Sequence, residues 1–202
     1  MSEIMTAPDT TSQIEEGVRS ILTAVGEDVT REGLIETPNR VARMYFELFS
    51  GLSEDPSVHL KKQFTTPSNS MVIVKKIPFY SACEHHLVPF HGVAHVGYLP
   101  GRVEGGEKLY RIAGLSKFAR VVDGFARRPQ VQENLTQQVL SCIQEALNPK
   151  GVIVVMKAMH MCMSMRGVEK EGAETVTSAV SGMFDTNQDD VKGEFFRLLG
   201  DV

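Results

Sequence analysis

The sequence predicts an α+β domain, an antiparallel β-sheet with helices packed on one side, preceded by an N-terminal helical hairpin. Three observations predict it. The periodic segments run helix, helix, strands, two helices, strands, helix, rather than alternating as in a doubly wound sheet. No Gly-rich phosphate loop is present. No internal repeat or low-complexity tract interrupts the 202 residues, a length that suits one sizeable domain or a core with a small appendage.

The first helix is expected over residues 12–26. Ser12 and Glu15 have capping-box spacing, and Ile14, Val18, Ile21, Leu22 and Val25 share one stripe before Gly26. A second helix opens at Thr37-Pro38, with Thr37 as cap and Pro38 as first helical residue. Val41, Met44, Tyr45, Leu48 and Phe49 form its apolar face, and Gly51 closes it. Arg40 and Arg43 oppose the dipole in its first turns, either as solvated surface or as an anion contact. Residues 52–70 read as loop. Strands are expected over 71–79 and 92–99, with turn residues from Pro100 to Gly106. A third helix starts at Gly114-Leu115-Ser116-Lys117, where Ser116 is a cap and Lys117 and Arg120 share one side. A hydroxyl and two cations at a helix start suit a phosphate, although a charged helix face is more often only solvated. Pro129 opens a fourth helix to Leu147, with Cys142 on its buried stripe as a small core residue.

Residues 152–166 read as one long strand. With period two, His160, Cys162, Ser164 and Arg166 share a face, and Met159, Met161, Met163 and Met165 share the other. A last strand is expected over 175–183 and a short amphipathic helix over 190–199.

The composition restricts the function. Hydrophobic residues make up 42% and charged residues 23%, enough for a core and an ordinary soluble surface. A net charge of −4 argues against a general nucleic-acid binder, and no apolar run is long enough to span a membrane. The polar start of the chain lacks a secretion pattern. Three cysteines, an odd number, do not make a disulfide framework, so a cytoplasmic setting is expected, where thiols are more often metal ligands or catalytic groups.

Cys83-Glu84-His85-His86 is poor material for a core and good material for a metal. Cys83 and His86 can reach one ion from a tight turn, and Cys162 can supply a third ligand. Three protein ligands leave a fourth position for water, whose pKa such a metal lowers to about 7. A closed site with His85 or His160 as fourth ligand stays open as an alternative, and so does a disulfide. Outside the ligand set, His85 and His160 are acid–base candidates. His59 reads as surface, His91 and His95 as structural. A zinc nucleoside deaminase fits poorly, because no Pro-Cys-x-x-Cys segment is present.

These motifs occur in a recognisable order. Thr37-Pro38-Asn39-Arg40-Val41-Ala42, Cys83–His86, Gly114–Lys117 with Arg120, Arg128–Glu133, and His160-Met161-Cys162 with Arg166-Gly167 resemble GTP cyclohydrolase I of the zinc-dependent type. The resemblance spans residues 14–199. It implies a tunnelling-fold (T-fold) subunit in a toroidal homodecamer, with a leader over 1–12, a helical region over 13–70 and the catalytic T-fold domain over 71–202. It implies GTP as substrate, opened at carbon 8 with loss of formate to give 7,8-dihydroneopterin triphosphate. By the same resemblance Cys83, His86 and Cys162 hold Zn2+, His160 is the main acid–base group and His85 assists protonation. Glu133 reads the guanine edge, and Gln132 and Ser116 contact the ribose region. Lys117, Arg120 and Arg166 bind triphosphate, and Arg40 reaches in from an adjacent subunit. One departure from the family is an insertion between Pro100 and Gly114, either a longer hairpin tip or a lid near the phosphate helix.

Overall fold

A computed structural model describes residues 8–105, 108–186 and 190–200. Of the expected leader, residues 1–7 lie outside the described residues; from Pro8 the chain is helical. The chain divides into two compact units, one ending at Glu54 and the other beginning at Asp55.

The first unit holds α1 (Pro8–Ala24) and α2 (Thr37–Leu48), followed by a 3-10 turn at Ser50–Ser53. Ser12 is not a cap: it lies inside α1, which is already helical at Pro8. Thr37 is likewise inside α2, whose cap is Glu36, and its hydroxyl donates to the Gly33 carbonyl at 3.3 Å. Asn39 ties the two helices by donating to Glu15 at 2.8 Å. Pro38 and Ala42 are buried, whereas Ile21, Val25, Met44 and Leu48, expected to be covered, stay exposed.

In chain order the second unit contains β1 (Gln63–Thr66), β2 (Val72–Cys83), β3 (Pro89–Leu99), β4 (Tyr110–Ala113), α3 (Ser116–Ala126) and β5 (Pro129–Gln130). It continues with α4 (Gln132–Leu147), β6 (Gly151–His160), α5 (Met161–Ser164), β7 (Glu174–Gly182) and α6 (Val191–Leu199). The main sheet has the order β5-β2-β3-β6-β7 and is antiparallel except where β5 runs parallel to β2. Alternation along β6 explains the layering. Val152, Val154 and Met156 enter a core with Phe118, Val121 and Val122 of α3 and Leu135, Val139 and Ile143 of α4. Ile153 and Val155 face the other way and pack with Phe184, Val191, Phe195 and Leu199 around α6. Lys75 donates to the last carbonyls of α6, at Leu198 and Leu199, 3.4 and 3.2 Å away, where a cation suits the dipole.

Three local expectations are revised. The segment 52–70 is not only loop: it contains a 3-10 turn at Pro56–Leu60 and β1, which pairs with β4. Its pairing is tertiary, and four residues carry too little periodicity to announce it. Pro129 does not open α4; it pairs with Ala82 in β5, and Val131 caps the helix instead. The long strand stops at His160, after which Met161–Ser164 turn as one helical coil, so the expected shared face does not extend past His160. The two sides of the expected insertion pair with each other, Arg102 opposite Tyr110, in keeping with the hairpin reading.

Candidate metal centre

Cys83 is the last residue of β2, and its backbone builds the turn that follows. Its N–H donates to the Val88 carbonyl at 2.9 Å, and its carbonyl accepts from Leu87 N–H at 2.7 Å and His86 N–H at 3.3 Å. The Glu84 N–H donates to the Gln130 carbonyl at 3.0 Å, so β5 pins the turn from the side. Leu87 sits at φ 55°, a conformation costing a side chain of this kind about 1–3 kcal/mol, which the surrounding bonds must hold. The turn brings His86 back beside Cys83. From the other side, the single coil after β6 delivers Cys162, steadied by the Ser164 hydroxyl on the His160 carbonyl at 3.1 Å.

One donor atom from each of Cys83, His86 and Cys162 lies within 4.8 Å of the others. The Cys83 Sγ to His86 Nδ1 separation is 3.9 Å. Tetrahedral ligands at about 2.3 Å (sulfur) and about 2.0 Å (nitrogen) stand about 3.5 Å apart, so this set fits a metal with little movement. Burial and the neighbouring Cys83 thiol push the Cys162 thiol up, while the Arg166 guanidinium opposes them. None of the three cysteines forms a disulfide. Cys142 is apart from this group, buried on α4, and its thiol is pushed up to about 11 by desolvation.

His85 lies at the rim with an exposed ring, its Nδ1 4.0 Å from Cys83 Sγ and its Nε2 3.8 Å from Glu84. Arg166 Nη1 donates to His86 Nε2 at 3.2 Å. Behind them His160 lies flat on Phe90, with ring centroids 4.5 Å apart and planes 4° from parallel. Its Nε2 is 2.7 Å from Gln132 Oε1. Gln132 is fully buried at the start of α4. Its amide nitrogen faces three acceptors: the Met156 carbonyl at 3.2 Å, the Thr175 carbonyl at 3.0 Å and Thr177 Oγ1 at 3.1 Å. The amide oxygen must therefore face His160, which makes Nε2 the protonated nitrogen and leaves Nδ1 basic. Thr136 completes the network, donating to the Gln132 carbonyl at 2.7 Å and lying 2.6 Å from Thr177 Oγ1. Burial holds the His160 pKa below the ordinary histidine value, and the charge of Glu133 partly restores it.

One end of the sheet thus gathers Cys83, His85, His86, Gln132, Glu133, His160, Cys162 and Arg166. Ser116, Lys117 and Arg120 are not among them. They begin α3, whose Phe118 stacks on Tyr98 at 5.2 Å, while its far end reaches β5 beside Cys83. Between Tyr98 and Phe90, at about 3.3 Å per residue, lie about 26 Å of strand. Arg40 belongs to the first unit and pairs with Glu36 at 3.2 Å. Phe90, Thr136 and Thr177 escaped the sequence reading. The Phe90 contact follows from its register opposite His160; nothing local marks the two threonines.

Comparisons with known proteins identify the family. The family model described as GTP cyclohydrolase I matches residues 14–200. A GTP cyclohydrolase 1 of Carboxydothermus hydrogenoformans is 58% identical over 188 residues, covering 93% of this chain and 94% of its own. One of Pelotomaculum thermopropionicum is 58% identical over 187 residues, covering 93% and 95%. One of Clostridioides difficile is 59% identical over 174 residues, covering 86% and 88%. Its antiparallel sheet with α3 and α4 against one face is the tunnelling fold. By a match over nearly its whole length, the chain belongs to the GTP cyclohydrolase I family.

Proposed function

We propose that this chain opens the imidazole ring of GTP at carbon 8, releases formate and forms 7,8-dihydroneopterin triphosphate, with Zn2+ held by Cys83, His86 and Cys162. The observation that carries the reading is the convergence of two thiols and an imidazole beside a histidine whose tautomer is fixed. When bound, the metal supplies a Lewis acid and a water acidic enough to ionise near neutral pH.

The rest is done by the chain's own side chains. His160, with its Nε2 proton committed to Gln132, accepts and returns a proton at Nδ1. The Gln132 amide has no atom to spare for the sugar, so it acts on the ribose region through His160. His85, exposed at the rim, assists protonation of the opened ring. The Glu133 carboxylate accepts from the guanine N–H donors, a pattern that adenine cannot satisfy. Arg166 meets the triphosphate.

Lys117, Arg120 and Ser116 begin α3 too far from the metal centre for one chain to use them, so a second copy supplies them, and Arg40 as well. Two sheet edges favour such an assembly. The outer edge of β7 has no strand partner among the described residues, and β2 pairs on its outer side only at Ala82 and Cys83. A toroidal homodecamer in a reducing cytoplasm is the proposed state; the three unpaired thiols suit that compartment.

The test is to give GTP to folded, zinc-loaded protein. Formate and, after oxidation, pterin fluorescence are expected; absence of both from loaded, folded protein sinks the proposal.

A further inference from the structure

The hairpin formed by the pairing of residues 101–103 with residues 109–111 stands at the end of the sheet away from the candidate metal centre, since it follows Leu99, which pairs with Gly151. Its base is fixed. The Arg111 N–H donates to the Gly101 carbonyl and the Val103 N–H to the Leu109 carbonyl, each at 2.9 Å. Gly101 lies so close to the turn after α4 that a Cβ there would collide with the Asn148 carbonyl oxygen. Lys150, on the same turn, places its ammonium 5.0 Å from the centre of the Tyr110 ring.

Between this hairpin and the end of α4 is a cavity of about 300 Å³, lined by Arg102, Val103, Glu104, Arg111, Leu147 and Asn148. Two guanidiniums border it, and neither has an ion-pair or hydrogen-bond partner for its side chain among the described residues. Glu104 borders the same space without pairing to either of them. On the opposite wall stand Leu147 and Asn148, at the end of α4 where backbone carbonyls lack intrahelical partners, with Asn148 turned left-handed at φ 44°. The lining therefore has two planar cations for an oxyanion, and a carboxylate and carbonyls for hydroxyl donors.

We propose that this cavity binds a small phosphorylated polyol or sugar, its phosphate held between Arg102 and Arg111 and its hydroxyls donating to Glu104 and the α4 carbonyls. The site is separate from the candidate metal centre, at the other end of the sheet. A sugar phosphate fits the volume, whereas a bare phosphate leaves Glu104 and the carbonyls without donors.

The test is calorimetric titration of the full-length, zinc-loaded protein with ribose 5-phosphate and with inorganic phosphate, beside a GTP turnover assay. Wild type and a Lys117→Ala chain are both expected to bind one ribose 5-phosphate per chain, more tightly than phosphate. Arg102→Ala/Arg111→Ala loses at least about tenfold in affinity, and Arg102→Lys/Arg111→Lys recovers part of it. Melting temperature and GTP turnover of the double alanine chain stay at wild-type values. Equal binding by wild type and the double alanine chain overturns the proposal. So does loss of binding in Lys117→Ala alone, which would put the ligand at the catalytic site. Absence of binding at millimolar concentration overturns it too. A fall in native mass of the double alanine chain without any sugar-phosphate binding also overturns it, because the cavity would then seat a neighbouring copy.

Discussion

At the scale of single residues, the centre depends on a few atoms whose substitution separates their roles. Cys162→Ser removes one thiolate from the set, and metal content of the purified protein is expected to fall together with GTP turnover by more than about a hundredfold. Elemental analysis beside a formate assay checks this; a variant that keeps both metal and rate refutes the ligand assignment. Gln132→Met replaces the amide with an apolar chain of similar length. It leaves the His160 Nε2 proton without an acceptor, so kcat is expected to drop at least about tenfold with little change in KM for GTP. A rise in KM at constant kcat would instead mean that Gln132 touches substrate. The sequence made the ligand types legible, because thiols and imidazoles at that density have few other uses. It did not show what Gln132 does. That role depends on the Met156 and Thr175 carbonyls and the Thr177 hydroxyl, which come from two strands far along the chain, and no spacing rule brings them together.

At the scale of elements, long periodic segments were legible and short or irregular ones were not. The third helix and the two central strands announce themselves by their apolar stripes. The five residues after Met159 kept an alternation that suits a strand, yet the backbone turns at Met161 because Cys162 must come round toward Cys83. The β2 bulge at Val74–Ile77 is another such place. There the Lys76 N–H donates to Nδ1 of the buried His95 at 3.3 Å, which requires an unprotonated ring. Burial, then the charges of Lys76, Lys75 and Lys157, hold its pKa below the ordinary histidine value. A lowered histidine pKa favours the fold fully above the unfolded value of about 6.5, and that contribution is lost as pH falls toward the folded value. The urea midpoint is therefore expected to fall between about pH 7.5 and about pH 5, and His95→Phe is expected to flatten that slope. Gly92 is a second element-level test. Strands β3 and β6 approach so closely there that a Cβ would overlap the Lys157 carbonyl, so Gly92→Ala is expected to destabilise by about 1–3 kcal/mol in chemical denaturation.

At the scale of the whole molecule, one chain carries the candidate metal ligands at one end of its sheet and the α3 cations at the other. Two inactive variants are therefore expected to rescue each other. Cys162→Ser chains and Lys117→Ala chains, unfolded together and refolded as a mixture, regain a measurable part of wild-type turnover, while either variant refolded alone does not. No recovery in mixed assemblies of native mass would place both sets of residues in one chain's own site. The central strand β6 has a further consequence, for motion. From Val152 to Met156 it is buried on both faces, and it is flanked by β3 and β7. No local fluctuation can expose those amides to solvent, so their hydrogen–deuterium exchange is expected to be the slowest in the chain and to report the free energy of global unfolding. His160 is the last residue of that strand. Its imidazole is thereby anchored to the segment that opens last, so this ring is expected to hold its position until the whole subunit unfolds.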